Sequence, residues 1–145
     1  MDIANHKPNV YLDIDGVLLA NDKQPALHVH EFLDYVTSNY PTYWLTTHCK
    51  GDTEHTLWVL GQVLQAETLE LCKRIRPTNW GRDKTDGIDF TKPFLWFDDD
   101  LFESERRVLE EHGVLDNHIR VDLGKNEHQL ADYLASFPVP IENII

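Results

Sequence analysis

The chain has 145 residues, with 25 acidic against 13 basic side chains and a formal net charge of −12. That length suits one domain, residues 1–145, with a real hydrophobic core. The charge disfavours nonspecific attraction to nucleic acid or to an anionic membrane. Cys49 and Cys72 lie far apart with no C-x-x-C between them, so they read as reduced thiols of a cytoplasmic protein. No apolar run approaches the ~20 residues of a membrane span, and residues 1–6 do not read as a signal peptide.

Asn9 to Leu19 is the first informative stretch. Val10, Tyr11 and Leu12 form an apolar run too short for a helix and suited to a buried strand. It ends in Asp13-Ile14-Asp15-Gly16. On a strand, residues two apart share a face, so Asp13 and Asp15 converge where the strand opens into a turn. Gly16 supplies a backbone geometry that other residues resist. A loop follows to Gln24, and Pro25 suits the first turn of a helix whose apolar face is Leu27, Phe32, Leu33 and Val36. That helix runs to about Tyr40, where Pro41 stops it.

Thr42 to Thr46 reads as a second strand, ending in Thr46, Thr47 and His48. Asp52 is placed to cap a helix from about Thr53 to Gln65, and a second helical stretch spans Glu67 to Lys73. Ile75 suggests a short third strand. Residues 77–91 form a loop-rich region around Trp80, Gly81 and Lys84. Phe94 to Phe97 is another buried strand, ending in Asp98-Asp99-Asp100. Asp100 with Glu103 has the spacing of a capping box for a helix from Leu101 to His112, which Gly113 terminates. A last strand, His118 to Val121, precedes a helix opened by Asn126 and Gln129 and closed near Ser136. Pro138 and Pro140 prevent regular structure in the apolar tail that follows.

Strands alternating with helices predict an α/β fold: a three-layer, Rossmann-like parallel sheet with helices on both faces. In such a sheet the strand ends of one sense share a rim, where ligands bind. Asp13, Asp15, Thr46 and residues 98–100 would meet there. An ordinary turn would explain Asp-x-Asp-Gly alone. A calcium loop would need a further oxygen ligand before its glycine and a distal Glu, which are missing.

The ordered set resembles the haloacid dehalogenase-like (HAD) phosphatase superfamily. An apolar strand ends in Asp13-Ile14-Asp15-Gly16-Val17, a second in Leu45-Thr46-Thr47, and a third in Trp96-Phe97-Asp98-Asp99. A lysine belongs between the last two, and Lys84 matches best, with Lys92 as the rival. The resemblance covers residues 9–100. It implies a catalytic set of Asp13, Asp15, Thr46 and Lys84. Asp13 would attack phosphorus to give an aspartyl-phosphate. Asp15 would protonate the leaving oxygen and then deprotonate water. Thr46, or Thr47 if the register shifts by one, and Lys84 would hold the transferring oxygens.

Electrostatics points to a cofactor. Two like charges 4 Å apart cost about 4 kcal/mol at an effective dielectric of about 20, and four aspartates would gather on one rim. All-oxygen ligands favour Mg2+. The expected ligands are the Asp13 carboxylate, the Asp15 backbone carbonyl and the Asp99 carboxylate, with Asp98 as a ligand or a supporting group.

The intervals from Asp15 to Thr46 and from Thr47 to Lys84 hold little more than the helices and strand already assigned, so no cap domain is expected. Among relatives, an open site suggests macromolecular substrates or closure by another subunit. Lys73, Arg74, Arg76, Arg82 and Lys84 gather in one short stretch, which reads equally as a lip that attracts phosphate or as a solvated helix end and loop. Arg76 and Arg82, with Thr47 and Gly16, are the substrate-binding candidates, and Trp80 is a further loop contact. His48 borders the expected site and is either a substrate contact or, the reading favoured, a solvated loop histidine. His28 and His30, two apart on a predicted helix, point differently and do not suggest a zinc pair.

The partner expected is a phosphorylated small molecule or macromolecule, with nucleic acid disfavoured and no membrane. Two other readings stay open: a metal-dependent nuclease of the PIN-like kind using the same carboxylates, and a non-catalytic phosphate-binding module.

Overall fold

A computed structural model of the chain describes residues 7–137. The proline-rich tail anticipated from Pro138 and the first six residues lie outside that range. The described elements run β1 (Asn9–Leu12), α1 (Val29–Asn39), β2 (Thr42–Trp44), α2 (Glu54–Gly61), α3 (Ala66–Cys72), β3 (Phe94–Asp98), α4 (Glu103–Glu111), β4 (His118–Arg120) and α5 (Gln129–Ser136). The four strands form one parallel sheet in the order β2-β1-β3-β4. Helices cover both faces in a three-layer, Rossmann-like arrangement without an obvious cap. None of the described helices is long and apolar enough to cross a membrane.

Between Asn9 at the start of β1 and Asp98 at the end of β3, the central strands carry residues 10–12 and 94–97, apolar or aromatic without a break because both faces are covered. Val10, Leu12, Leu95 and Phe97 belong to a core shared with Phe32, Leu33 and Val36 of α1, Leu71 of α3 and Leu130 of α5. The alternate residues Tyr11, Phe94 and Trp96 face the other way, with Leu109 of α4. This is the period of two that a pleated strand imposes. The register sets Leu12 of β1 beside Trp44 and Phe97, so all three strands reach the rim together.

Several local expectations need correction. Pro25 does not open a helix. It pairs with Leu19 across a small hairpin-like turn, in which Ala20 N–H donates to the Gln24 carbonyl and Ala26 N–H to Leu18. His28 then takes a left-handed conformation, φ 67°, and α1 begins at Val29, which leaves Leu27 exposed. The strand expected at Ile75 is a single bridge: Arg76 pairs with Tyr43, giving its N–H to Thr42 and accepting from Trp44. Pro77, which has no N–H, ends the pairing there.

Asp100 does not cap α4. The helix starts at Glu103, and Glu105 accepts the Phe102 N–H at 3.0 Å. Gln129 likewise reaches past Asn126, accepting from Asp122 N–H at 2.6 Å. Gly113 does end α4 as expected, at φ 69°.

Candidate active site

The site is built where β1 and β3 end side by side. Asp13 follows β1 directly, its N–H donating to the Phe97 carbonyl at 3.0 Å. Its side chain is buried, with Oδ1 accepting from Ile14 N–H at 2.8 Å. Asp98, the last residue of β3, is buried beside it. Between them lies the ammonium of Lys84, carried in by a 3-10 turn at Lys84–Gly87. Its Nζ stands 2.6 Å from Asp98 Oδ2 and 3.4 Å from Asp13 Oδ2.

Carboxylate oxygens of Asp13, Asp98 and Asp99 lie within 4.8 Å of one another, an acidic cluster able to coordinate a divalent cation. Gly16 makes the cluster sterically possible. It has φ +81°, and a Cβ built on it would overlap the Asp99 carboxylate. Lys84 does not neutralise the whole set. Burial first, then the charge on Asp13, push the Asp98 carboxyl above the ordinary range, against the pull of Lys84. For Lys84, burial favours the neutral amine, but Asp13 and Asp98 outweigh it and raise its pKa. Both shifts favour protonation: the amine stays an ammonium, and Asp98 holds a proton to higher pH than an ordinary carboxyl, which is how the crowded acids relieve their charge without a cation.

The Asp15 side chain stands outside this cluster. It receives His48 Nε2 at 2.9 Å and Lys23 Nζ at 3.1 Å. Burial raises its pKa, but those two hydrogen bonds prevail and hold it below the usual carboxylate value. His48 is thus a partner of Asp15 rather than a solvated loop residue, and Lys23 was not anticipated at all.

The cleft above the acids encloses about 400 Å3. Thr47, Trp80, Arg82 and Lys84 line it, together with Lys50 and Phe102. Thr46 is fully buried, and its hydroxyl accepts from His48 N–H at 3.3 Å. Of the two threonines, Thr47 reaches the wall. Lys92 lines a different hollow, beside Asn9 and Tyr11 at the start of β1, so Lys84 is the lysine near the acids.

The basic lip disperses on folding. Lys73 pairs with Glu70, Arg74 with Asp34, and Arg76 stays beside Tyr43 on the outer flank of β2. Only Arg82 and Lys84 of that stretch reach the cleft; Lys50, its Nζ 4.3 Å above the Trp80 ring, joins them from another loop. His28 and His30 part company too, one on His128 and the other on Thr68.

Glu105 also escaped the sequence reading. Its signal is a carboxylate in the first turn of α4, which a helix starting at Leu101 rather than Glu103 conceals. Cys49 and Cys72 are free and buried.

Comparisons with protein-family models, with curated proteins and with solved structures find no match to this chain. The small parallel sheet, flanking helices and clustered acids are consistent with a Rossmann-like, HAD-like fold in general.

Proposed function

We propose that the chain is a divalent-cation-dependent phosphatase that hydrolyses phosphate monoesters through an aspartyl-phosphate on Asp13. The observation that carries this reading is the placement of Lys84 between Asp13 and Asp98, with Asp15 held apart on partners of its own. Acids that share a rim but differ in partners suit different roles. An acidic cluster by itself would serve a nuclease equally well. A cation set against the attacking carboxylate, and a separate carboxylate for proton transfer, favour phosphoryl transfer to the protein.

In the first step an Asp13 oxygen attacks phosphorus, the bond to the leaving oxygen breaks, and the protonated form of Asp15, a minority species given its two cationic partners, gives that oxygen its proton. In the second, water attacks the same phosphorus and gives its proton to Asp15, freeing phosphate and the Asp13 carboxylate. Lys84 and the Thr47 edge of the cleft stabilise the oxygens on which charge accumulates, with Thr46 supporting the turn below. Lys23 and His48 hold Asp15 ionised, the form the second step needs.

The oxygen-only donor set, and the space Gly16 leaves for Asp99, fit Mg2+. Asp13, Asp99 and the Asp15 carbonyl would hold it, with Asp98 as a further ligand or as the partner that fixes Lys84. When bound, the ion neutralises phosphate oxygens and the surplus charge of the acids.

Acid-quenched mass spectrometry with an activated aryl phosphate tests the two aspartates separately. Asp15→Asn keeps the nucleophile but slows hydrolysis of the intermediate, so a phosphate adduct should accumulate. Asp13→Asn should show none. An adduct on Asp13→Asn and none on Asp15→Asn would reverse the assignment.

A further inference from the structure

Lys84 reaches the acids from a short turn in a long loop, and a lysine on such a segment is aimed only as well as its backbone is held. Asp98 and Asp13 fix the ammonium. The backbone end is fixed by Glu105. This carboxylate is 3% exposed, and each oxygen accepts a main-chain N–H: Oε1 from Phe102 at 3.0 Å and Oε2 from Lys84 at 2.9 Å. Helix capping needs only the first of these bonds. The second crosses 21 positions of sequence to the lysine itself. Because α4 follows the acids of β3 after a short connection, one side chain ties the turn bearing Lys84 to the strand bearing Asp98.

We propose that Glu105 is a positioning residue for Lys84, one that sets the height and direction of the ammonium between Asp13 and Asp98. Its two oxygens are both acceptors facing donors, so glutamine is a poor replacement despite its equal size. One of the two N–H groups would then face an amide N–H. Aspartate fails differently: one methylene shorter, it cannot span both partners. Misplacement by about 1 Å at a reacting centre costs on the order of 100-fold in rate. Glu105→Gln should therefore lower kcat about 10- to 100-fold while KM stays within about threefold. The kinetic half of this expectation rests on the phosphatase reading.

The test joins kinetics with a measurement that needs no turnover. In protein labelled with 15N-lysine, the Lys84 amide and ζ-ammonium signals of the wild type, Glu105→Gln and Glu105→Asp are compared. The proposal expects both Lys84 signals to move in at least one variant, while the other lysines keep their positions. Lys84 signals that coincide with wild type in both folded variants would overturn it, leaving Glu105 a helix cap only.

In the kinetic arm, Glu105→Gln is combined with Lys84→Met. A residue acting through Lys84 should change kcat by less than about twofold once that lysine is gone; an undiminished loss in that background would also overturn the proposal. A wild type inert toward every phosphate monoester would sink the phosphatase reading, and the lysine signals would still decide the role of Glu105.

Discussion

Gly16→Ala should damage two properties at once, and the structure separates them. At φ +81° an alanine bears the left-handed penalty, about 1–2 kcal/mol. In a domain of this size each kcal/mol moves Tm by roughly 2–4 °C, so the apoprotein should melt roughly 2–8 °C lower. The new methyl also claims the space of the Asp99 carboxylate, which must swing away from Asp13 and Asp98. Disturbing the support of a metal ligand weakens binding about 10- to 100-fold. At a Mg2+ concentration of about 100 times the wild-type Kd, binding stabilises the fold by about 2.7 kcal/mol, and a tenfold weaker site keeps about 1.4. The Tm gain on adding Mg2+ should therefore fall to about half or less.

Asp99→Asn supplies the contrast. It loses a ligand charge but meets no backbone strain, so its apoprotein should melt no lower than wild type while its Mg2+ increment shrinks. Melting curves with chelator and with graded Mg2+ read both quantities without any assay of catalysis. A Gly16→Ala protein that keeps the full Mg2+ increment would refute the claim that this glycine makes room for a cation ligand.

Excess chelator should abolish turnover, and Mg2+ should restore it; full activity in chelator would remove the cation from the proposed function. Replacing Lys50 and Arg82 together by Gln should raise KM for an anionic substrate and leave kcat nearly unchanged, with the effect fading as salt screens exposed charges beyond about 10 Å at 0.1 M. Arg76→Gln, on the flank of β2, should do neither. His118 packs edge-on against Trp96 and is buried enough to hold its pKa below the ordinary value, so the folded protein takes up this proton less readily than the unfolded chain. Stability from this source is intact above about pH 6.5 and lost as pH falls toward the folded value; His118→Gln should flatten that part of a melting-versus-pH curve.

Much of the architecture was legible because β1 and β3 are buried on both faces, so their residues are apolar without interruption until the acids begin. Nothing local competes with such a run. Pro25 was misread because its preference for a first helical turn is weaker than the hairpin pairing of Leu19, which a single sequence does not display. Ile75 was half right: a bridge forms at its neighbour Arg76, and the proline after that removes the next donor. Basic residues close in sequence were the least faithful guide, since Lys73 and Arg74 turned to acids on their own side of the molecule.

The acids show where sequence reading stops and why. Asp13, Asp15, Asp98 and Asp99 are chemically one residue type, and spacing can bring them to one rim but cannot rank them. Their differences come from partners distant in the chain: Lys84 for Asp13 and Asp98, His48 and Lys23 for Asp15, the bare backbone of Gly16 for Asp99. Each partner changes what its carboxylate can do. The Lys84 ammonium at 2.6 Å engages one Asp98 oxygen, whereas Asp99 is exposed and has no such partner among the described residues. The division of labour in the proposed function thus rests on tertiary contacts laid over a repeated residue. A substitution at Lys23, His48 or Glu105 should therefore reach the chemistry as surely as one at the aspartates.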